Sequence, residues 1–201
     1  MTISVDQIKA LRGQTGVGIL DCREALEGAN GDYDLALENL RAKGLATAAK
    51  RADREASEGI VELYSHGDGR VGVMVEVNCE TDFVARSKEF RYFAHEIALQ
   101  IAASAPDFIR AEDIPEETLE LKRKLARQQA LEEGKPENIA ERIAEGRIKK
   151  YIEEVSLLNQ EYIRDDNLTI EQLLLQNVAA VGENIVIRRF ERWELGESTA
   201  S

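Results

Sequence analysis

Ile60-Val61-Glu62-Leu63-Tyr64-Ser65-His66-Gly67-Asp68-Gly69-Arg70-Val71-Gly72-Val73-Met74-Val75-Glu76-Val77 is the stretch on which the fold turns. Ile60 to Tyr64 and Val71 to Val77 are runs rich in β-branched residues, and the Asp68-Gly69 pair between them is a hairpin signal. They predict two antiparallel strands. The second continues through Asn78, Cys79 and Glu80 and stops at Thr81-Asp82-Phe83-Val84, where an aromatic sits beside an acid just ahead of a new helix. Spacing alone leaves Phe83 two readings: its ring folds back under that helix, or it is presented to something outside.

On the N-terminal side, Leu45 to Ser57 is rich in Ala, Lys and Arg with little apolar periodicity after Ala49, which predicts a partly helical linker. Before it, Ser4-Val5-Asp6-Gln7 has the form of a capping box, and Val5, Ile8 and Leu11 follow at helical spacing. Thr15-Gly16-Val17-Gly18 ends that helix, and a second opens near Gly18 with Ile19, Cys22, Ala25 and Leu26 and closes at Asn30-Gly31. Asp32 is placed to cap a third, carrying Tyr33, Ala36, Leu37 and Leu40, and Gly44 to end it in a left-handed turn. The division expected is a three-helix module at 1–50, a linker at 51–57 and a core at 58–201. Ile19 and Leu20 lie about 100° apart on their helix, so a narrow core stripe leaves one of them outside and a broad one takes both.

On the C-terminal side, Phe90, Phe93, Ala94, Ile97 and Ile101 mark an amphipathic helix ending before Pro106. Residues 116–133 and a stretch defined by Ile139, Ile143, Ile152 and Val155 predict a helical pair broken at Gly134-Lys135-Pro136. Thr169-Ile170-Glu171-Gln172 opens another helix to Ala180, and Asn184 to Phe190 reads as a third strand. Strands separated by blocks of helices point to an α+β fold with a small three-stranded antiparallel sheet packed with helices.

The composition narrows the function. The 201 residues are 43% hydrophobic and 32% charged, with a formal net charge of -12. So strong a negative balance argues against direct nucleic-acid binding, because phosphate neutralisation needs clustered Lys and Arg. No segment approaches a bilayer span and Met1 to Asp6 lacks the form of a signal peptide, so a cytoplasmic protein with a protein partner is expected.

Cys22 and Cys79 are too few and too distant for a redox motif or a disulfide scaffold. His66 and Cys79 are a nominal thiol pair, but a hairpin turning at Asp68-Gly69 places them some 20 to 30 Å apart. Asp165-Asp166-Asn167 lacks the spacing of a calcium loop, and Thr15-Gly16-Val17-Gly18 follows a helix and lacks the lysine of a phosphate loop. Neither a cofactor nor an enzymatic activity is expected; a thiol-dependent hydrolase and a general helical adaptor are the alternatives.

Two long stretches stand out, Leu11-Arg12-Gly13-Gln14-Thr15-Gly16-Val17-Gly18-Ile19-Leu20-Asp21-Cys22-Arg23-Glu24-Ala25-Leu26 and Glu76-Val77-Asn78-Cys79-Glu80-Thr81-Asp82-Phe83-Val84-Ala85-Arg86. In that order they resemble the two signatures of the elongation factor Ts family. The likeness extends to the final strand and is to the bacterial short form, with one core repeat where longer members have two. Arg23 stands where the family commonly has lysine, and Ile19 and Leu20 where it commonly has methionines. Methionine adapts more readily to a partner surface, which implies a stiffer grip here.

That resemblance implies a guanine nucleotide exchange factor for the translational GTPase EF-Tu. It implies a module like a ubiquitin-associated domain that binds EF-Tu through Arg12, Ile19 and Leu20. It assigns Thr81, Asp82, Phe83 and Val84 to dislodging the magnesium ion of EF-Tu, and places His66 near another domain of that partner. A homodimer in a 2:2 complex with EF-Tu is the expected assembly, in keeping with the edge strand at 185–190.

Overall fold

The computed structural model describes residues 3–15 and 17–197. Gly16, expected in the turn between the first two helices, and Met1 and Thr2 at the N-terminus lie outside that range. The chain divides into two compact units, one of residues 1–98 with 171–201 and one of residues 99–170.

The first unit opens with α1 (Val5–Thr15), α2 (Ile19–Gly28) and α3 (Tyr33–Ala49). The Ser4 hydroxyl accepts from the Gln7 N–H at 3.1 Å while Gln7 Oε1 accepts from the Ser4 N–H at 3.0 Å, the reciprocal capping read from the sequence. α2 ends where Asn30 (φ 53°) and Gly31 (φ 85°) turn left-handed, and Asp32 caps α3 through the Leu35 N–H at 3.0 Å. Leu11, Cys22, Leu26, Ala29, Ala36 and Leu40 close a small core. One expectation fails: α3 runs through Gly44 to Ala49. Gly44 does not take up the positive φ that a left-handed cap needs, and a Cβ there would make only ordinary contact, 3.4 Å from the Ala179 Cβ.

β1 (Glu58–His66) and β2 (Val71–Cys79) form the predicted hairpin, with Gly67, Asp68 and Gly69 all at positive φ in its turn. The third strand, β5 (Ile185–Glu194), is longer than expected and pairs antiparallel with β2, giving the order β1-β2-β5. Alternation along β2 buries Val73, Val75 and Val77 on one face. The apolar stripe of α5 (Lys88–Ser104), with Phe90, Phe93, Ala94 and Ile97, is buried as well, and burying each phenylalanine is worth roughly 1.5–3 kcal/mol. α8 (Ile170–Val181) leads into β5.

The second unit holds the helical pair α6 (Glu116–Glu132) and α7 (Glu137–Val155), joined through Gly134 at φ 79°. Arg123 pairs with Glu145 at 2.8 Å and Arg127 with Glu137, as an antiparallel arrangement requires. It also holds a two-stranded sheet that the sequence reading missed, β3 (Glu161–Tyr162) with β4 (Asp165–Thr169). The first is too short and the second too polar at Asp165-Asp166-Asn167 to display alternation. Gln100, fully buried, donates to Gln160 Oε1 at 3.2 Å and accepts from the Ile163 N–H at 3.0 Å.

A candidate docking site at the strand-to-helix corner

β2 ends at Cys79, and Glu80 and Thr81 lead directly into α4 (Asp82–Ala85). Thr81 is extended (φ -128°, ψ 152°) and caps α4, its hydroxyl oxygen accepting from the Val84 N–H at 3.3 Å. One turn of helix then faces two ways. Val84 and Ala85 are buried, whereas Phe83 is 79% exposed. Asp82 is also exposed and pairs at 2.9 Å with Arg86, four residues on. An exposed phenylalanine forgoes the burial that its neighbours enjoy, so of the two readings left by spacing it is the outward one that the corner adopts.

The corner is held from the far end of the sequence. Glu183 Oε2 accepts from the Glu80 and Thr81 N–H groups at 3.1 and 3.0 Å, and its Oε1 accepts from the Thr81 hydroxyl at 2.6 Å. Beside it, the Asn184 N–H donates to Glu80 Oε1 at 2.7 Å, and the Asn184 amide donates to the Ala52 and Arg54 carbonyls at 3.2 and 2.8 Å. The sequence marks neither as a site residue: Glu183 reads only as the approach to the third strand and Asn184 as its first residue. No local pattern connects positions 80 and 183.

On the three-helix module, Ile19 and Leu20 occupy the first turn of α2 and are both exposed, at 55% and 74%. Neither enters the core, because Cys22 and Leu26 fill that face of the helix. Arg12 is exposed on α1. His66 is also exposed, with the Tyr64 hydroxyl 3.1 Å from its Nδ1. It lies at the turn end of the hairpin, opposite Val71, while Cys79 faces Glu58 at the other end. The hairpin therefore separates His66 from the Thr81 corner by its full length.

The same register keeps His66 and Cys79 apart as a pair. Cys79 is buried, its thiol donates to the Thr81 carbonyl at 3.2 Å, and burial aided by the nearby Glu183 charge pushes its pKa up to about 11. A thiolate nucleophile is thereby disfavoured. Asp165 and Asp166 both accept from the Asn167 side chain, at 3.2 and 3.1 Å, which is the chemistry of a local turn. Among the described residues no group of three His, Cys, Asp or Glu side chains is placed to hold a metal, and no helix is long and apolar enough to cross a membrane.

Comparison with known proteins identifies the setting of this corner. A family model described as elongation factor TS matches residues 38–197. The elongation factor Ts of Carboxydothermus hydrogenoformans is 54% identical over 198 residues, covering 98% of this chain and 91% of that protein. That of Caldanaerobacter subterraneus subsp. tengcongensis is 56% identical over 195 residues, covering 97% and 98%. That of Moorella thermoacetica is 52% identical over 195 residues, covering 97% and 96%. The chain belongs to the elongation factor Ts family of translation elongation factors.

Proposed function

We propose that this chain is a guanine nucleotide exchange factor that acts on GDP-bound EF-Tu in the cytosol and releases GDP so that GTP can bind. The observation that carries the reading is Phe83, a large apolar ring held 79% exposed on a capped corner of a family member. A GTPase retains GDP through backbone contacts to the phosphates and a magnesium ion bridging their oxygens. Phe83 wedges into the GTPase domain while Asp82 and the backbone of Thr81 and Val84 disturb the shell of that ion. Binding energy is exchanged for nucleotide affinity, and no covalent step is required. By linkage, GDP weakens this chain's hold on EF-Tu by the same factor, about 1.4 kcal/mol for each tenfold.

The module at 1–50 docks through Arg12, Ile19 and Leu20, and His66 approaches a second domain of EF-Tu. The linker at 51–57 joins that module to the core at 58–201. Two chains assemble with two EF-Tu molecules. Support for a dimer comes from the solvent face of the sheet, where Val61, Leu63, Met74 and Trp193 are exposed, at 56%, 69%, 47% and 77%.

Adding the chain to EF-Tu loaded with fluorescent GDP tests the reading. Release accelerated in proportion to added chain is the expected result, and release at the intrinsic rate refutes it.

A further inference from the structure

We propose that Glu183 is a positioning residue for the exchange corner: its carboxylate sets the direction in which α4 presents Phe83. The inference rests on the exchange reading above and extends it to a residue that does not itself touch the partner.

The backbone creates the need. The ladder of β2 ends at Cys79, which pairs with Glu58 on one side and Ile185 on the other. The N–H groups of Glu80 and Thr81 therefore fall beyond the last strand partners and require acceptors. A single oxygen, Glu183 Oε2, serves both. The second oxygen accepts a hydrogen bond from the Thr81 hydroxyl, which leaves the hydroxyl lone pairs directed to the Val84 N–H. A continuous chain of hydrogen bonds thus runs from Glu183 through Thr81 into the first turn of α4.

That chain matters because α4 has four residues and lacks the length to hold a direction by itself. Its orientation comes from Val84 and Ala85 below and from Thr81 at its start. Glu183 is half-buried, and charged acceptors form the stronger class of hydrogen bond. Removing it leaves two backbone donors and one hydroxyl without the acceptor and frees the corner to swing.

Asn184 provides the control. Its side chain donates to Ala52 and Arg54 and makes no bond to the corner, while its backbone bond to Glu80 survives substitution. Glu183→Gln provides the graded variant: its carbonyl oxygen replaces Oε2 for the two N–H groups, but its NH2 group cannot accept the hydrogen bond from the Thr81 hydroxyl.

The experiment measures release of fluorescent GDP from EF-Tu over a range of exchange-factor concentrations, with amide exchange at Glu80 and Thr81 as the readout independent of the partner. The maximal release rate is expected to fall in the order parent and N184A, then E183Q, then E183A. The last is lower by about tenfold, the low end of what removing a supporting partner costs at a preorganised site. The half-saturating concentration changes much less than the maximal rate. Corner amides exchange faster in the same order while β2 amides stay protected. The proposal is overturned if both Glu183 variants match the parent in maximal rate and amide exchange, or if N184A is as slow as E183A. A parent chain that fails to accelerate release removes the exchange reading itself, an outcome distinct from equal rates among active variants.

Discussion

Phe83 and Val84 are consecutive on α4, yet Phe83 is 79% exposed and Val84 only 7%. Their opposite environments predict opposite contributions to stability. Val84→Ala removes buried methyl groups and is expected to cost about 2 kcal/mol, the transfer term plus a cavity. Phe83→Ala should change stability by less than about 0.5 kcal/mol, as for an exposed side chain. Urea denaturation of both variants checks the contrast.

Gly59 marks the tightest approach in the hairpin. It sits at φ 146°, and a Cβ there would lie 2.2 Å from the Val77 carbonyl oxygen. Backbone strain and a clash with backbone act together, so Gly59→Ala is expected to destabilise by at least about 2 kcal/mol. A thermal melt showing an unchanged midpoint would count against the β1 to β2 register.

The buried thiol gives a dependence on alkaline pH. Cys79 is raised from 9.0 to about 11, so between those values the unfolded chain has lost a proton that the folded chain keeps. Stability from this group is fully present below pH 9.0 and is lost as pH rises toward about 11. The expected slope is about 1.4 kcal/mol per pH unit. Denaturation midpoints of the parent and Cys79→Ala should converge over this range, with the parent falling more steeply.

Ile19 and Leu20 sit outside the small core, so replacing both with Ala should leave the module folded. Affinity for nucleotide-free EF-Tu is expected to fall by roughly 2 kcal/mol or more, the scale of an interface anchor. Calorimetry alongside circular dichroism separates lost docking from lost structure.

Much of this architecture is legible in the sequence because its signals are local. The Asp68-Gly69 turn, the Ser4 and Asp32 caps and the phenylalanine stripe of α5 each act within a few residues. Gly44 reads as a helix end because glycine favours a left-handed cap, but α3 continues through it without a positive φ. The short pairing of β3 with β4 was invisible for want of alternation. Spacing cannot fix the direction of Phe83, because it is the burial of Val84 and Ala85 on the other side of α4 that turns the ring outward. The support from Glu183 spans 102 positions and has no periodic trace at all.

If Phe83 drives exchange rather than merely adding contact area, its loss must slow release even when every EF-Tu molecule is occupied. Stopped-flow release of fluorescent GDP from EF-Tu, at saturating concentrations of the parent and of Phe83→Ala, measures this. The variant is expected still to bind but to release GDP slower by more than about tenfold, the equivalent of 1.4 kcal/mol of lost coupling. A variant as fast as the parent at saturation would contradict it.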